Sequence, residues 1–294
     1  MVRLRCGGGC GVSLFRGVLH VLYAVAFLVL AAFFWEGHSF YLAPLAERAH
    51  HEGYWRFKPG GSVSHPLGIA GSGMLLLLLL YSARKRVRAF RRLGPLPRWL
   101  DVHIFLGVTG PLLVVLHSSF KVQGLVALSF WSMIAVALSG VLGRYLYLQI
   151  PRSQAGDELT LAELSALDRR LAARLKEEFG VDAASLSELE RLTAPPGRGG
   201  LLSALAGVAT SDLVLSRRLR AFARRRPSAR ALGPLIEVAR EKALVHRRLV
   251  LWDALHGLFH YWHVVHKPFA LVMYVFMIVH IAVASMTGYA WGTR

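Results

Sequence analysis

The chain has 294 residues, 54% of them hydrophobic, and carries 35 Lys and Arg against 17 Asp and Glu for a net charge of +18. A mean hydropathy of +0.44 is too apolar for an ordinary soluble domain of this length. With only two cysteines, a disulfide-stapled fold is excluded.

The first apolar run is Val18–Phe34. It follows Arg3, Arg5 and Arg16 and has no small-x-small cleavage site after it, so it reads as a retained helix rather than a secretory signal. A connection over His38–Ser64 holds Pro44, Pro59, Gly60, Gly61 and several aromatics, with His38, His50 and His51 expected in solvent. The second run is Pro66–Ala83, with His65 at its start. Arg84, Lys85, Arg86, Arg88, Arg91, Arg92 and Arg98 follow without an acid among them. The prolines of GPLPRW are expected to end this segment before Asp101 opens the third run, Val102–Leu116. A tight turn over Ser118–Gly124 leads to the fourth run, Leu125–Leu148, and the fifth is Phe269–Met286. At 1.5 Å per residue these runs span, or nearly span, a hydrocarbon core about 30 Å thick.

Between the fourth and fifth runs lies a different composition, about Pro151–Arg248. Thr160 and Glu163 form a capping-box signature opening a helix whose apolar stripe is Leu161, Leu164, Leu167, Leu171 and Leu175, with Gly180 suited to its end. Ala194–Gly200 reads as a linker. Ser216–Arg230 is strongly basic and is read as a face on anionic headgroups, not as a nucleic-acid site.

The expected fold is therefore all-α: a membrane bundle of five transmembrane helices with a cytoplasmic helical insert. Residues 1–150 carry spans one to four, 151–250 the insert, and 251–294 an interfacial helix with span five. Cationic connections alternate with nearly neutral ones. The positive-inside pattern places the N-terminus in the cytoplasm of a bacterial-type inner membrane and the C-terminus in the periplasm. Cys6 and Cys10 then face a reducing compartment as free thiols. GGGCG is not a dinucleotide fingerprint, and CxxCH, HExxH and P-loop motifs are missing from the sequence.

The third span reads DVHIFLGVTGPLLVVLHSSF and the fifth HKPFALVMYVFMIVHIAVASM. His103 and His117 are 14 residues apart, and so are His266 and His280. Fourteen residues advance about 21 Å along a helix and stop about 40° short of whole turns. Each helix thus presents two imidazoles on nearly one face. The two spans run in the same direction, so His103 lies level with His266, and His117 with His280. Ionisable residues within spans are costly and usually functional. Imidazole is a good iron ligand, and bis-His iron suits electron transfer. Two haems, each held by one level pair, are the expectation, with His103, His117, His266 and His280 as axial ligands. Gly107 and Gly110 either admit a planar macrocycle or pack against another helix. Arg144, in the apolar context VLGRYLYL, is a candidate partner of haem propionates. Lys121 and Arg56 are lesser candidates for that role. Asp101 either orients an imidazole, handles a quinone proton or caps a helix.

His263 competes with His266 for the inner iron, because His256, His260 and His263 share one helical face and Pro268 is expected to leave His266 in the turn before the span. His20 and His65 are candidates for a third haem or a quinone pocket, or simply hydrogen-bonded boundary residues.

Paired histidines 14 residues apart on two parallel spans resemble the haem-binding core of membrane di-haem cytochromes b. Their placement on spans three and five also resembles the ferric reductase-like transmembrane domain, and FHYWHVVHKPF is similar to stretches in bacterial respiratory cytochrome b subunits. The resemblance covers about half the chain and leaves out the insert. It implies two b-type haems and electron transfer between a quinone pool and a redox partner such as a periplasmic multihaem cytochrome c. The ferric reductase likeness implies an external metal acceptor instead. A haem-free, histidine-lined metal or proton transporter is the reading from another class.

Overall fold

A computed structural model describes residues 9–149, 159–193 and 232–288. Cys6, the linker Ala194–Gly200 and the basic run Ser216–Arg230 lie outside them. The described residues are mostly helical, with no strand among them. Five helical segments are long and apolar enough to cross a membrane: Leu14–Leu42, Ser64–Arg86, Leu96–Ser118, Leu125–Leu148 and Trp252–Met286. The chain divides into two compact units, one of residues 5–144 with 262–294 and one of residues 145–261.

In the first unit, α1 (Gly9–Leu42) extends past the expected end at Phe34. His38 is therefore helical, with its Nδ1 2.6 Å from the Trp35 carbonyl, rather than part of a loop. The following connection is built, not loose. It holds a 3-10 turn (Arg48–His50) and the short α2 (Tyr54–Phe57). The Arg48 guanidinium donates to the carbonyls of Ala43 (2.9 Å), Tyr41 (2.6 Å) and Ser119. Phe57 is buried with Phe40 and Tyr41, and its carbonyl accepts from both Ser64 Oγ (2.8 Å) and Ser119 Oγ.

The second apolar run forms α3 (Ser64–Leu77) and α4 (Leu79–Arg86), separated at Leu78. A 3-10 segment, Arg88–Arg92, follows. α5 (Leu96–Ser118) begins a full turn before Asp101. Pro95 caps it and Pro97 falls in its first turn, where a missing N–H costs nothing. Asp101 is thus neither the start nor the cap of this helix. The turn after α5 places Ser119 and Phe120 at positive φ, 50° and 58°. α6 (Leu125–Gln149) follows.

α3 and α5 form the most extensive pairing in this unit. They approach through glycine. A Cβ on Gly110 would meet Met74 Cβ at 3.2 Å and the Gly71 carbonyl at 3.3 Å. Small residues let two helix backbones come this close. Leu75 and Leu78 join Met133 of α6 and Met273 and Met277 of the last helix in one buried cluster. Polar ties cross the same cluster: Tyr274 Oη donates to the Leu75 carbonyl (2.7 Å) and Ser129 Oγ to the Met273 carbonyl (3.0 Å). α1 packs on α5 by Tyr23 edge-on to Phe105, 5.0 Å between centroids.

In the second unit, α7 (Leu161–Phe179) has the expected capping box. Thr160 Oγ1 accepts from the Glu163 N–H (3.2 Å) and Glu163 Oε2 accepts from the Thr160 N–H (2.8 Å). Gly180 ends the helix at φ 61°. Leu164, Leu171 and Leu175 are buried, and Leu167 packs against them. Leu161 is 48% exposed, because at the first position it overhangs the packed face. α8 (Ala183–Thr193) and α9 (Leu232–Val250) complete the core through Leu189, Leu235, Val238, Ala239 and Ala243. The Lys242 ammonium is buried at 2.8 Å from both Asp168 Oδ1 and Glu190 Oε1.

The last helix, α10 (Trp252–Met286), is continuous, with Pro268 inside it. A separate interfacial helix is not formed, and His266 lies within the helix rather than in a turn before it. Proline is tolerated inside membrane-length helices where neighbours satisfy the freed backbone groups.

Candidate functional site

The four spaced histidines all belong to the unit of residues 5–144 and 262–294. They form two groups. His103 and His266 lie within electrostatic reach of each other, and so do His117 and His280, with His65 also near His117. Each group joins a histidine of α5 to one of α10.

The antiparallel seam between α3 and α5 supplies the surroundings of two of them. Ser64 faces His117, Gly71 faces Gly110, and Leu78 lies beside His103. These positions recur every seven residues on both helices, the repeat that keeps one seam facing its partner. His117 Nδ1 is 2.9 Å from the Ser64 carbonyl oxygen. A carbonyl only accepts, so His117 carries its proton on Nδ1 and its Nε2 lone pair is free. The His117 ring also lies flat against Gly68, where a Cβ would be 2.6 Å from Nδ1 and 2.7 Å from Cγ and Cε1. His103 Nδ1 is shut off from solvent and makes no hydrogen bond of normal geometry, although the Leu78 carbonyl is close by. Its ring is 4.9 Å from the Tyr81 ring.

On α10, His266 Nδ1 is 2.7 Å from Ser139 Oγ of α6. The Trp262 indole lies over the His266 ring at 4.9 Å and donates through Nε1 to the Ser139 carbonyl (2.7 Å). Gly143, one turn beyond Ser139, makes room for that indole, because a Cβ there would overlap it. With α10 continuous, His266 stands about 40° from the line of His280 and His263 about 100° from it. Helix geometry therefore aligns His266, not His263, with His280. His263 lies edge-on to Trp262 at 4.5 Å. His280 is exposed on α10.

The remaining sequence candidates divide. Gly110 is taken up by the crossing with Gly71, whereas Gly107 has open space, its nearest neighbour being Leu78 Cδ2 at 3.9 Å. Arg144 pairs with Asp101, 3.0 Å apart. Arg56 pairs with Glu36, and Lys121 is exposed. His20 is exposed on α1. His256 Nδ1 donates to the Trp252 carbonyl, 2.9 Å away, and its ring lies tilted against that indole at 4.2 Å.

The sequence reading missed Gly68, Ser64, Ser139, Gly143 and Trp262. Ser139 and Gly143 do carry a signal, small residues four apart on one helix face. The donor set fits an iron porphyrin held by imidazoles: Nδ1 of His117 and of His266 is engaged by a neighbour, the arrangement that fixes a ligating histidine's tautomer and orientation. Comparison of the chain with protein-family models, with curated proteins and with solved structures found no match.

Proposed function

We propose that the chain is an integral membrane di-haem cytochrome b that carries electrons across a bacterial-type inner membrane between a quinone pool and a redox partner such as a periplasmic cytochrome c. The observation that carries this reading is the grouping of four histidines on two membrane-length helices into His103 with His266 and His117 with His280. When bound, each haem would supply a one-electron carrier at its own depth.

The chain's own residues do the rest. The α3 backbone holds His117 with its Nε2 lone pair free, and the Ser139–Trp262 pair holds His266. Gly107 leaves a side-chain-free surface on the face of α5 between its two histidines. The Asp101–Arg144 ion pair lies two residues from His103 in sequence and holds a carboxylate and a guanidinium near the His103 end. Oxidation of one quinol to quinone releases two electrons, passed singly, and two protons to the adjacent aqueous side. The N-terminus is assigned to the cytoplasm and the C-terminus to the periplasm by the basic connection around Arg84–Arg98.

The test is a spectrum followed by single substitutions. Purified full-length protein, expressed with ample haem, should show a Soret band and low-spin reduced bands equal to two haems per chain. His103→Gln and His266→Gln should each remove the same haem, and His117→Gln and His280→Gln the other. His263→Gln should leave both. A protein with no Soret band would refute the reading and favour metal or proton transport. Reduction by a quinol analogue, rather than only by a soluble donor, supports the quinone assignment.

A further inference from the structure

We infer that Ser139 is the positioning residue that selects and holds His266 as the ligand of the inner haem. The inference rests on the di-haem reading and adds to it the proton arrangement at one iron.

Ser139 Oγ has two neighbours: the Val136 carbonyl at 2.9 Å and His266 Nδ1 at 2.7 Å. A hydroxyl has one proton. The carbonyl accepts only, so that proton goes to Val136, and the hydroxyl lone pair then accepts from His266 Nδ1–H. The imidazole is left with its lone pair on Nε2, the form that binds a metal. Donation to Val136 polarises the hydroxyl oxygen and strengthens it as the acceptor of the His266 Nδ1–H.

The same helix turn also fixes the ring. Trp262 Nε1 donates to the Ser139 carbonyl, and its indole rests on Gly143 and over the His266 ring. Ser139 thus meets α10 twice, through its side chain and its backbone. His263 lies edge-on to Trp262 and is rotated about 100° from the His280 line.

Full-length wild-type, Ser139→Ala and Ser139→Thr proteins should be compared after haem loading. Loss of an outer partner of a metal-bound imidazole weakens metal binding about 10–100-fold. In Ser139→Ala, one of the two haems should therefore pass to excess apomyoglobin at least about tenfold faster, and one low-spin electron paramagnetic resonance signal should shift while the other stays. Ser139→Thr, which keeps the hydroxyl, should restore both. Two unshifted signals and unchanged haem transfer in Ser139→Ala would overturn the inference with the di-haem reading intact. Equal loss of both haems in Ala and Thr variants would mark a packing role only and also overturn it. A wild-type protein without haem would instead overturn the di-haem reading itself.

A second inference comes from an independent feature, the 3-10 segment Arg88–Arg92. A 3-10 helix has three residues per turn, so positions three apart eclipse one another. Phe90 on the segment and Val87 and Leu93 at its two ends are spaced three apart and are 37%, 44% and 51% exposed. Arg86, Arg88 and Arg92 flank them and are exposed. The segment joins two membrane-length helices, Ser64–Arg86 and Leu96–Ser118. We propose that it lies in the membrane plane, with its apolar line among acyl chains and its arginines on anionic phospholipid headgroups. A nitroxide on Phe90→Cys, in a background with Cys6 and Cys10 replaced by Ser, reports the depth by relaxation with oxygen against a water-soluble nickel chelate. In nanodiscs containing phosphatidylglycerol the label should be oxygen-accessible and chelate-protected. It should move toward water in pure phosphatidylcholine, and in phosphatidylglycerol when Arg86, Arg88 and Arg92 are Gln. Full chelate access in both lipids, or equal depth in both, would overturn the proposal.

Discussion

If the chain holds the two haems proposed, replacement of Gly68 by Ala should strip the one at His117 and leave the other. The added Cβ would stand 2.6–2.7 Å from three atoms of the His117 ring. Carbon atoms in contact prefer about 3.5–4.0 Å, so the ring must retreat by about 1 Å. Its bond to the Ser64 carbonyl starts at 2.9 Å, and a retreat of that size carries it beyond hydrogen-bonding range. Overpacking costs about 1–3 kcal/mol, and leaving a buried imidazole N–H without its acceptor costs about 1–3 kcal/mol more. Alanine gains about 1 kcal/mol over glycine in a helix. The net is a loss of about 3 kcal/mol focused on one imidazole. Gly73, on the same helix, is the control, since a Cβ there meets nothing within 4 Å. Pyridine haemochrome content and reduced-minus-oxidised spectra of detergent-purified protein give the readout. Gly68→Ala should fall from two haems per chain toward one, and Gly73→Ala should keep two with unchanged or higher thermal stability. Retention of both haems in Gly68→Ala, or equal loss in Gly73→Ala, would refute the reasoning.

Gly143→Ala should act on the other pair, because a Cβ there overlaps the Trp262 indole and pushes it off His266; the measurement is selective weakening of the His103–His266 haem in the same spectra. Lys242→Met should destabilise residues 145–261 by about 3 kcal/mol, since it leaves Asp168 and Glu190 without their buried cation. Hydrogen exchange on the full chain should show faster exchange across α7 and α9, reversed when Asp168 and Glu190 are also replaced by Leu. Thr160→Ala should cost about 1 kcal/mol and fray the first turn of α7, read by the same exchange. Acid should loosen this unit as well. Burial of Glu190 raises its carboxyl, but the Lys242 hydrogen bond and charge, with His246, outweigh burial and hold it below its ordinary 4.5. A carboxyl lowered on folding adds stability that is complete above its unfolded value and lost as pH falls through its folded value. Protease resistance of residues 145–261 should therefore hold at neutral pH and decline below about 4.5, with Glu190→Gln flattening that decline.

The spans were legible because hydropathy is summed over many residues and tolerates local error. Their ends were less so. Pro95, Pro97 and Pro268 were all read as helix breaks, yet the first two sit where an N–H is not needed and the third interrupts only one bond of a 35-residue helix. The break at Leu78 falls inside the run LLLLLL, where no residue type marks it. The histidine spacing was legible for a similar reason as the spans. Fourteen residues return a helix to nearly the same face whatever surrounds it, so the pairing of His103 with His266 depends only on two helices running level.

Their partners were not legible, because the one at His117 is a backbone carbonyl, which no side-chain type encodes. Ser64 appears in the sequence as a hydroxyl, but it meets His117 through its main chain while its hydroxyl serves Phe57. Lys242 is the same lesson in a soluble-type core. Within REKALVHRRL it reads as one surface cation among several, and it is buried only because Asp168 and Glu190, 74 and 52 residues away, come to it. Ser139 lies between these cases. Its spacing to Gly143 advertises a close helix contact, but only the fold says that the contact is Trp262 and that the hydroxyl left over meets an imidazole. The residues that would carry electrons were thus written in a local repeat, while those that would set their proton arrangement depend on which helix face arrives opposite.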